Sequence, residues 1–169
     1  YESVFRYLKT GLVYPYFLNE ENELEYNDSS YYNLVDQMEN YCLEYGIRGN
    51  KYKKTWTYKT DRTNEKADDE VKLRNKTHDE QLGTFRKQFV EPIIKLQELF
   101  KKKPAGLEIA KAMYQLLEKL NVAETLSIWK YRAEVNGDLQ IASTHEQAWN
   151  QVVNLLDQYV EILGEEIVN

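Results

Sequence analysis

Six cations crowd one short stretch of this chain: Arg48, Lys51, Lys53, Lys54, Lys59 and Arg62 lie between positions 48 and 62, against Asp61 alone. Tyr52, Trp56 and Tyr58 are interleaved with them. Lysine and arginine neutralise phosphates and release the counterions around them, while aromatic rings stack on bases; the two together are the equipment of single-strand binders. Arg48, Lys51, Lys53, Lys54, Trp56 and Lys59 are therefore the candidate nucleic-acid-contacting set. Two other readings stand beside it. Trp56 can plug a helical core while the lysines flank it in water, or the stretch can meet a protein partner.

No other constellation carries chemistry. There is no glycine-rich phosphate loop followed by lysine, no serine in a strand-to-helix elbow and no His-x-x-x-His pair. His78 and His145, the two histidines, stand apart from any second strong ligand set, so no metal site is expected and both read as exposed. Adjacent carboxylates such as Asp68-Asp69 and Glu165-Glu166 fall in highly charged stretches, where they serve solvation. Catalytic residues, metal ligands and a cofactor of this chain's own are not expected.

Composition narrows the class further. The formal charge is −6, yet the segment from Asp138 to Asn169 holds six carboxylates and no lysine or arginine, so basic and acidic character are segregated along the chain. No apolar run approaches the roughly 20 residues needed to span a bilayer, and the first residues lack the order of a signal peptide. A soluble, cytoplasmic protein is expected. The single cysteine, Cys42, excludes an internal disulfide and agrees with a reducing compartment. The chain begins at Tyr1 in what reads as helix interior, which suggests a piece of a longer protein. Its 14 tyrosines suit either an interface or a scattered surface distribution.

The elements that must position the basic stretch are helices. Val4, Phe5, Leu8 and Leu12 recur at helical spacing, and residues 2–10 read as helix, with Gly11 placed to close the turn. Tyr14-Pro15-Tyr16 breaks the pattern, and Asn19 to Asn27 reads as an acidic surface loop. After the capping residues Asp28, Ser29 and Ser30, one apolar stripe runs through Tyr31, Leu34, Val35, Met38, Cys42 and Tyr45. Gly46 stops that helix. Glu39 and Glu44 lie off the stripe and read as solvent-facing, whereas Cys42 reads as a buried small hydrophobe.

Residues 48–62 suit extended structure or a long loop, and residues 61–76 read as charged and partly mobile. Thr77 with Glu80 predicts the start of a helix carrying Leu82, Phe85, Phe89, Ile93, Leu96 and Phe100. Pro92 predicts a kink or a split within it. Lys101-Lys102-Lys103 reads as its C-terminal charge cap. Further helices carry Ile109 to Leu120, then Leu126 and Trp129 as far as Asn136-Gly137, and finally Trp149 to Leu163, stopping at Gly164. The fold class is all-α: a bundle of about five to seven helices with one long basic, aromatic loop, in a single domain over 1–169.

Two blocks are specific enough to resemble a known family. Glu2-Ser3-Val4-Phe5-Arg6-Tyr7-Leu8-Lys9-Thr10-Gly11-Leu12 and Glu39-Asn40-Tyr41-Cys42-Leu43-Glu44-Tyr45-Gly46-Ile47-Arg48-Gly49 resemble consecutive signatures of the B subunits of bacterial AddAB-type helicase–nucleases, called RexB in lactic-acid bacteria. The order continues with Lys54 and Trp56, Val90-Glu91-Pro92-Ile93, His145-Glu146-Gln147-Ala148-Trp149 and the helical run Leu155 to Gly164. The resemblance implies an internal piece of a long polypeptide, matching the helical accessory insertion called 2B in a helicase-like fold that is degenerate as a motor. It also implies an A subunit as partner, DNA reached through the parent complex, and double-strand-break processing for recombinational repair. ATP, magnesium and an iron–sulfur cluster belong by the same resemblance to the parent complex; neither nuclease residues nor cluster cysteines have counterparts here. The alternative function is a protein-interaction scaffold that holds the A and B subunits together without touching DNA.

Overall fold

A computed structural model of the chain describes residues 2–13, 17–18, 24–25 and 28–167. The order of elements is α1 (Glu2–Leu8), β1 (Phe17–Leu18), β2 (Leu24–Glu25), α2 (Asp28–Glu44), a 3-10 helix (Gly49–Lys53), α3 (Tyr58–Asp61), α4 (Asp69–Phe100), α5 (Gly106–Lys119), α6 (Val122–Val135) and α7 (Leu139–Leu163). The architecture is all-α, as expected. Among the described residues the additions are the antiparallel pairing of the two-residue strands β1 and β2 and an isolated antiparallel bridge between Ala105 and Ile167. The break at Tyr14-Pro15-Tyr16 and most of the acidic Asn19–Asn27 loop lie outside the described residues.

Contacts divide the chain into two compact units: Tyr1–Gly11 with Pro15–Val90, and Leu12–Tyr14 with Glu91–Asn169. In the first, the α2 stripe forms the core as its spacing requires. Tyr31, Leu34, Val35, Met38, Tyr41, Cys42 and Tyr45 are all buried, together with Phe5 and Leu8 of α1 and Leu82, Phe85 and Phe89 of α4. The Tyr31 hydroxyl donates to the Leu8 carbonyl at 2.7 Å, and Tyr31 meets Phe85 edge-on at 6.1 Å, so one α2 residue ties α1 and α4 into the same core. Burial pushes the Cys42 thiol up to about 11, which keeps it protonated and out of chemistry. Glu39 is not solvent-facing: it is half-buried and bonds the Lys9 ammonium at 2.5 Å, with Asp36 a second carboxylate 3.7 Å from the same lysine.

The middle of the chain departs from expectation in where α4 starts and in the absence of a split at Pro92. α4 starts at Asp69, not at Thr77, and runs as one helix through Pro92. The Asp68 carboxylate accepts the Glu70 N–H at 3.2 Å, and Asp69 and Glu70 place negative charge at the helix start, so the cap lies earlier than Thr77. Thr77 sits inside the helix and donates its hydroxyl to Leu73 O. The charged stretch 69–76 has no buried residue, but Glu70, Lys72, Leu73, Arg74 and Lys76 hold a helix well, and the Lys76–Glu80 pair at i, i+4 adds to it. Pro92 neither splits nor ends α4; the boundary between the two units falls at Val90 and Glu91, just before it.

In the second unit α5, α6 and α7 contact one another pairwise. Ile109, Ala110, Leu120, Val122, Leu126, Ala133 and Ala142 are buried. Tyr114 packs on Trp149 at 5.9 Å, and Trp129 meets His145 edge-on at 5.5 Å, so His145 is half-buried against a ring instead of exposed. The start of α5 lies against the end of α7: the Gly106 N–H donates to Glu166 O at 2.9 Å and the Leu107 N–H to Gly164 O at 3.0 Å. No helix among the described residues is long and apolar enough to cross a membrane.

Candidate nucleic-acid interface

The basic stretch begins where α2 is closed by a full glycine cap. Gly46 adopts φ +59°, its N–H reaches Leu43 O at 3.4 Å, and the Ile47 N–H reaches Cys42 O at 2.9 Å. This is the two-bond closure in which a left-handed glycine lets the next residue turn inward, and Ile47 is fully buried there. The Lys51 ammonium then donates to Gly46 O at 2.9 Å and lies 5.9 Å from the Tyr58 ring, so this lysine caps the negative end of α2.

Residues 48–62 are not one long loop. Gly49 at φ +52° opens the 3-10 helix to Lys53, and α3 adds a single helical turn. Aromatic burial, not local propensity, sets this path. Trp56 is only 2% exposed. Its ring stacks on Tyr41 at 5.5 Å and 22°, touches Tyr52 at 5.9 Å, and its indole N–H donates to Lys51 O at 3.2 Å. Tyr52 is buried beside it.

Two charged residues of α4 hold the stretch from beneath, and neither stood out in the sequence as part of the site. Arg86, 5% exposed, donates from Nη1 to Tyr52 O at 2.6 Å and also to Lys54 O, with its guanidinium 5.4 Å from the Trp56 ring. Asp79, 2% exposed, accepts the Tyr41 hydroxyl at 2.5 Å, the Thr60 N–H at 2.8 Å, the Thr60 hydroxyl at 2.6 Å and the Lys59 N–H at 3.4 Å. Arg86 thus fastens the first half of the stretch through its carbonyls and Asp79 the second half through its donors. Burying charge is tolerable only with such partners. Burial, and then the bond to Asp79, push the Tyr41 phenol far above its usual range and keep it a donor.

His78, expected on the surface, is half-buried 5.8 Å from the Tyr41 ring, and its Nδ1 is enclosed without a hydrogen-bond partner among the described residues. Burial, and next the Lys59 charge, hold its pKa below the ordinary value.

The six candidate residues therefore occupy different situations. Arg48, Lys53 and Lys54 are exposed, as is Thr55 among them. Lys51 is exposed but its ammonium is committed to the Tyr45 and Gly46 carbonyls just past α2, and Lys59 is half-buried. Trp56 is enclosed, so its ring is not available to a base. Arg62, outside the candidate set, is exposed with its guanidinium 4.8 Å over the Tyr45 ring. What the arrangement offers a ligand is positive charge on a braced backbone; Tyr41, Asp79 and Trp56, which could act on a substrate, are occupied inside. Among the described residues no group of three or more histidine, cysteine or acidic side chains is placed to hold a metal ion.

No protein-family model matches the chain. Curated relatives do. Proteins of Bacillus thuringiensis, Bacillus anthracis and Bacillus mycoides, named as B subunits of an ATP-dependent helicase/deoxyribonuclease, are each 34% identical to it over 168 residues, 98% of this chain. The chain spans 14% of the length of these relatives. Similarity at this level along nearly every residue makes the chain a homologue, over one segment, of the ATP-dependent helicase/deoxyribonuclease B subunits, the family its sequence resembles.

Proposed function

We propose that this chain is a non-catalytic helical accessory domain, 2B-like in its place, of the B subunit of an ATP-dependent DNA helicase/exonuclease that processes double-strand breaks for recombinational repair in the cytoplasm. ATP, magnesium and the iron–sulfur cluster serve that complex outside this segment, and its A subunit is the partner. The observation that carries the reading is the homology, which runs over 98% of the chain and joins it to the B subunits. The first unit contributes DNA contact through Arg48, Lys53 and Lys54, exposed on a turn that Arg86 and Asp79 hold in place. Lys59 and Arg62 add charge at the margin.

Fluorescence anisotropy of a labelled duplex and of a labelled single strand tests this. Binding is expected to be weak at low salt and to fall steeply as salt rises. If Lys53→Glu with Lys54→Glu leaves affinity at low salt unchanged, the stretch has only a structural role.

A second reading is favoured by one feature of the second unit. Along α7, Ile141, Leu155 and Ile162 are 51%, 66% and 73% exposed. They stand on one heptad line with Ala148, flanked by the neutral Gln140, Thr144, Gln151 and Gln158. In this reading the second unit is a scaffold that seats the A subunit, and DNA contact is not needed for it. Leu155→Lys with Ile162→Lys in the complete B subunit is expected to weaken its co-purification with the A subunit; undiminished assembly removes the scaffold reading.

A further inference from the structure

In the second unit, the C-terminal half of α4 and the outer side of α5 enclose an open groove of about 340 Å³. α4 supplies Pro92, Leu96 and Leu99 and α5 supplies Ala112 and Leu116 to its apolar surface. These positions recur every three or four residues on both helices, so the apolar lining runs lengthwise between them. Lys95 stands on the α4 side, Lys111 and Lys119 on the α5 side. All three lysines are exposed, and none has an ion-pair partner among the described residues. The one carboxylate on the rim, Glu108, is engaged by the Ala105 N–H at 3.0 Å.

We infer that this groove is a docking site for an amphipathic helix whose apolar stripe is flanked by aspartate or glutamate. Both walls are helices, whose backbone groups pair within the helix; Pro92, lacking an N–H, frees at most one carbonyl and not a row, so an extended peptide would find no ladder there. A helix carries its own backbone hydrogen bonds and needs only an apolar stripe to enter. The lysines on both sides select acidic flanks, and they set the on-rate and register more than they add affinity. An apolar floor has no donors for a sugar-phosphate chain, which separates this surface from the basic stretch of the first unit.

The probe is a designed helical peptide with leucine at every third or fourth position and glutamate beside each leucine, compared with a twin in which lysine replaces every glutamate. Titrated into the ¹⁵N-labelled chain, the acidic peptide is expected to shift amides of residues 93–99 and 108–119, and to bind at least about tenfold more tightly than its twin. Lys111→Glu with Lys119→Glu, both on an exposed face, is expected to reverse that preference, so that the basic twin becomes the better ligand. Equal binding of the two peptides, an unreversed preference in a folded variant, or shifts centred elsewhere would overturn the proposal. So would a single-stranded oligonucleotide that shifts the same amides as strongly, or a dimer of the free chain abolished by the same variant. The last result would assign the groove to a second copy.

Discussion

The Asp79 carboxylate accepts the Tyr41 hydroxyl at 2.5 Å across a sequence separation of 38 residues, and in the same pocket it accepts both the backbone N–H and the hydroxyl of Thr60. Tyr41 in turn takes the Tyr58 N–H at 3.1 Å. The short helix α3 is therefore held by a buried acid on α4 and a phenol on α2, and it has no buried residue of its own. Removing the acceptor strands four donors at once: the Tyr41 hydroxyl, the Thr60 N–H and hydroxyl, and the Lys59 N–H. Asp79→Ala is expected to cost about 2–4 kcal/mol in urea unfolding, with Asp79→Asn recovering part of it. A loss below about 0.5 kcal/mol for the alanine variant would show that α3 is held in some other way.

His78 gives the same region an acid sensitivity. Its pKa in the folded chain lies below the ordinary 6.5, because burial and then the Lys59 charge disfavour the imidazolium. As pH falls through 6.5 the unfolded chain takes up the proton first, so stability declines from there towards the folded-state value and is regained as pH rises. Urea midpoints measured between about pH 7.5 and pH 5.5 are expected to fall, and to fall less in His78→Gln. An identical decline in that variant would assign the effect to other groups.

Gly106 is required by closeness, not by backbone conformation. A Cβ at this position would stand 2.0 Å from Leu163 O. In an isolated helix, replacing glycine with alanine stabilises by about 1 kcal/mol; here Gly106→Ala is expected to destabilise by about 1–3 kcal/mol. Faster amide exchange at Gly106 and Leu107, whose N–H groups bond the end of α7, would locate the damage. A stabilised variant would mean that the α5–α7 contact yields easily.

The existence of the long helices was legible because it rests on local periodicity, whereas the 3-10 helix and α3 carry no such period. The α2 stripe and the Gly46 stop could be read directly, as could the Asn136-Gly137 end of α6. There Gly137 takes φ +82° and the Asp138 N–H closes on Ala133 O. The start of α4 is hard to read because Thr77 with Glu80 imitates a cap, while the working acceptor, Asp68, precedes a charged run in which Val71 and Leu73 are the only large apolar residues and neither is buried. The candidate site was half legible. Its charges are in the sequence, but which of them face water depends on partners 20 to 40 residues away. A signal did exist: Asp79 and Arg86 occupy the same helical face as Leu82, Phe85 and Phe89. Charged residues on an apolar stripe announce buried polar work, and only the fold names Thr60, Tyr52 and Lys54 as its objects.

The central claim is that exposed cations carry the DNA contact of the basic stretch while its enclosed rings only hold it in shape. The salt dependence of duplex affinity, compared between Trp56→Phe and the Lys53→Glu, Lys54→Glu pair, tests it most directly. About three phosphate contacts correspond to a roughly 40-fold loss of affinity between about 50 and 200 mM salt. Trp56→Phe, which keeps a buried ring, is expected to preserve both affinity and slope, and the lysine pair to lower affinity and reduce the slope by about two. A folded Trp56→Phe protein that loses binding while the lysine variant keeps it would contradict the account.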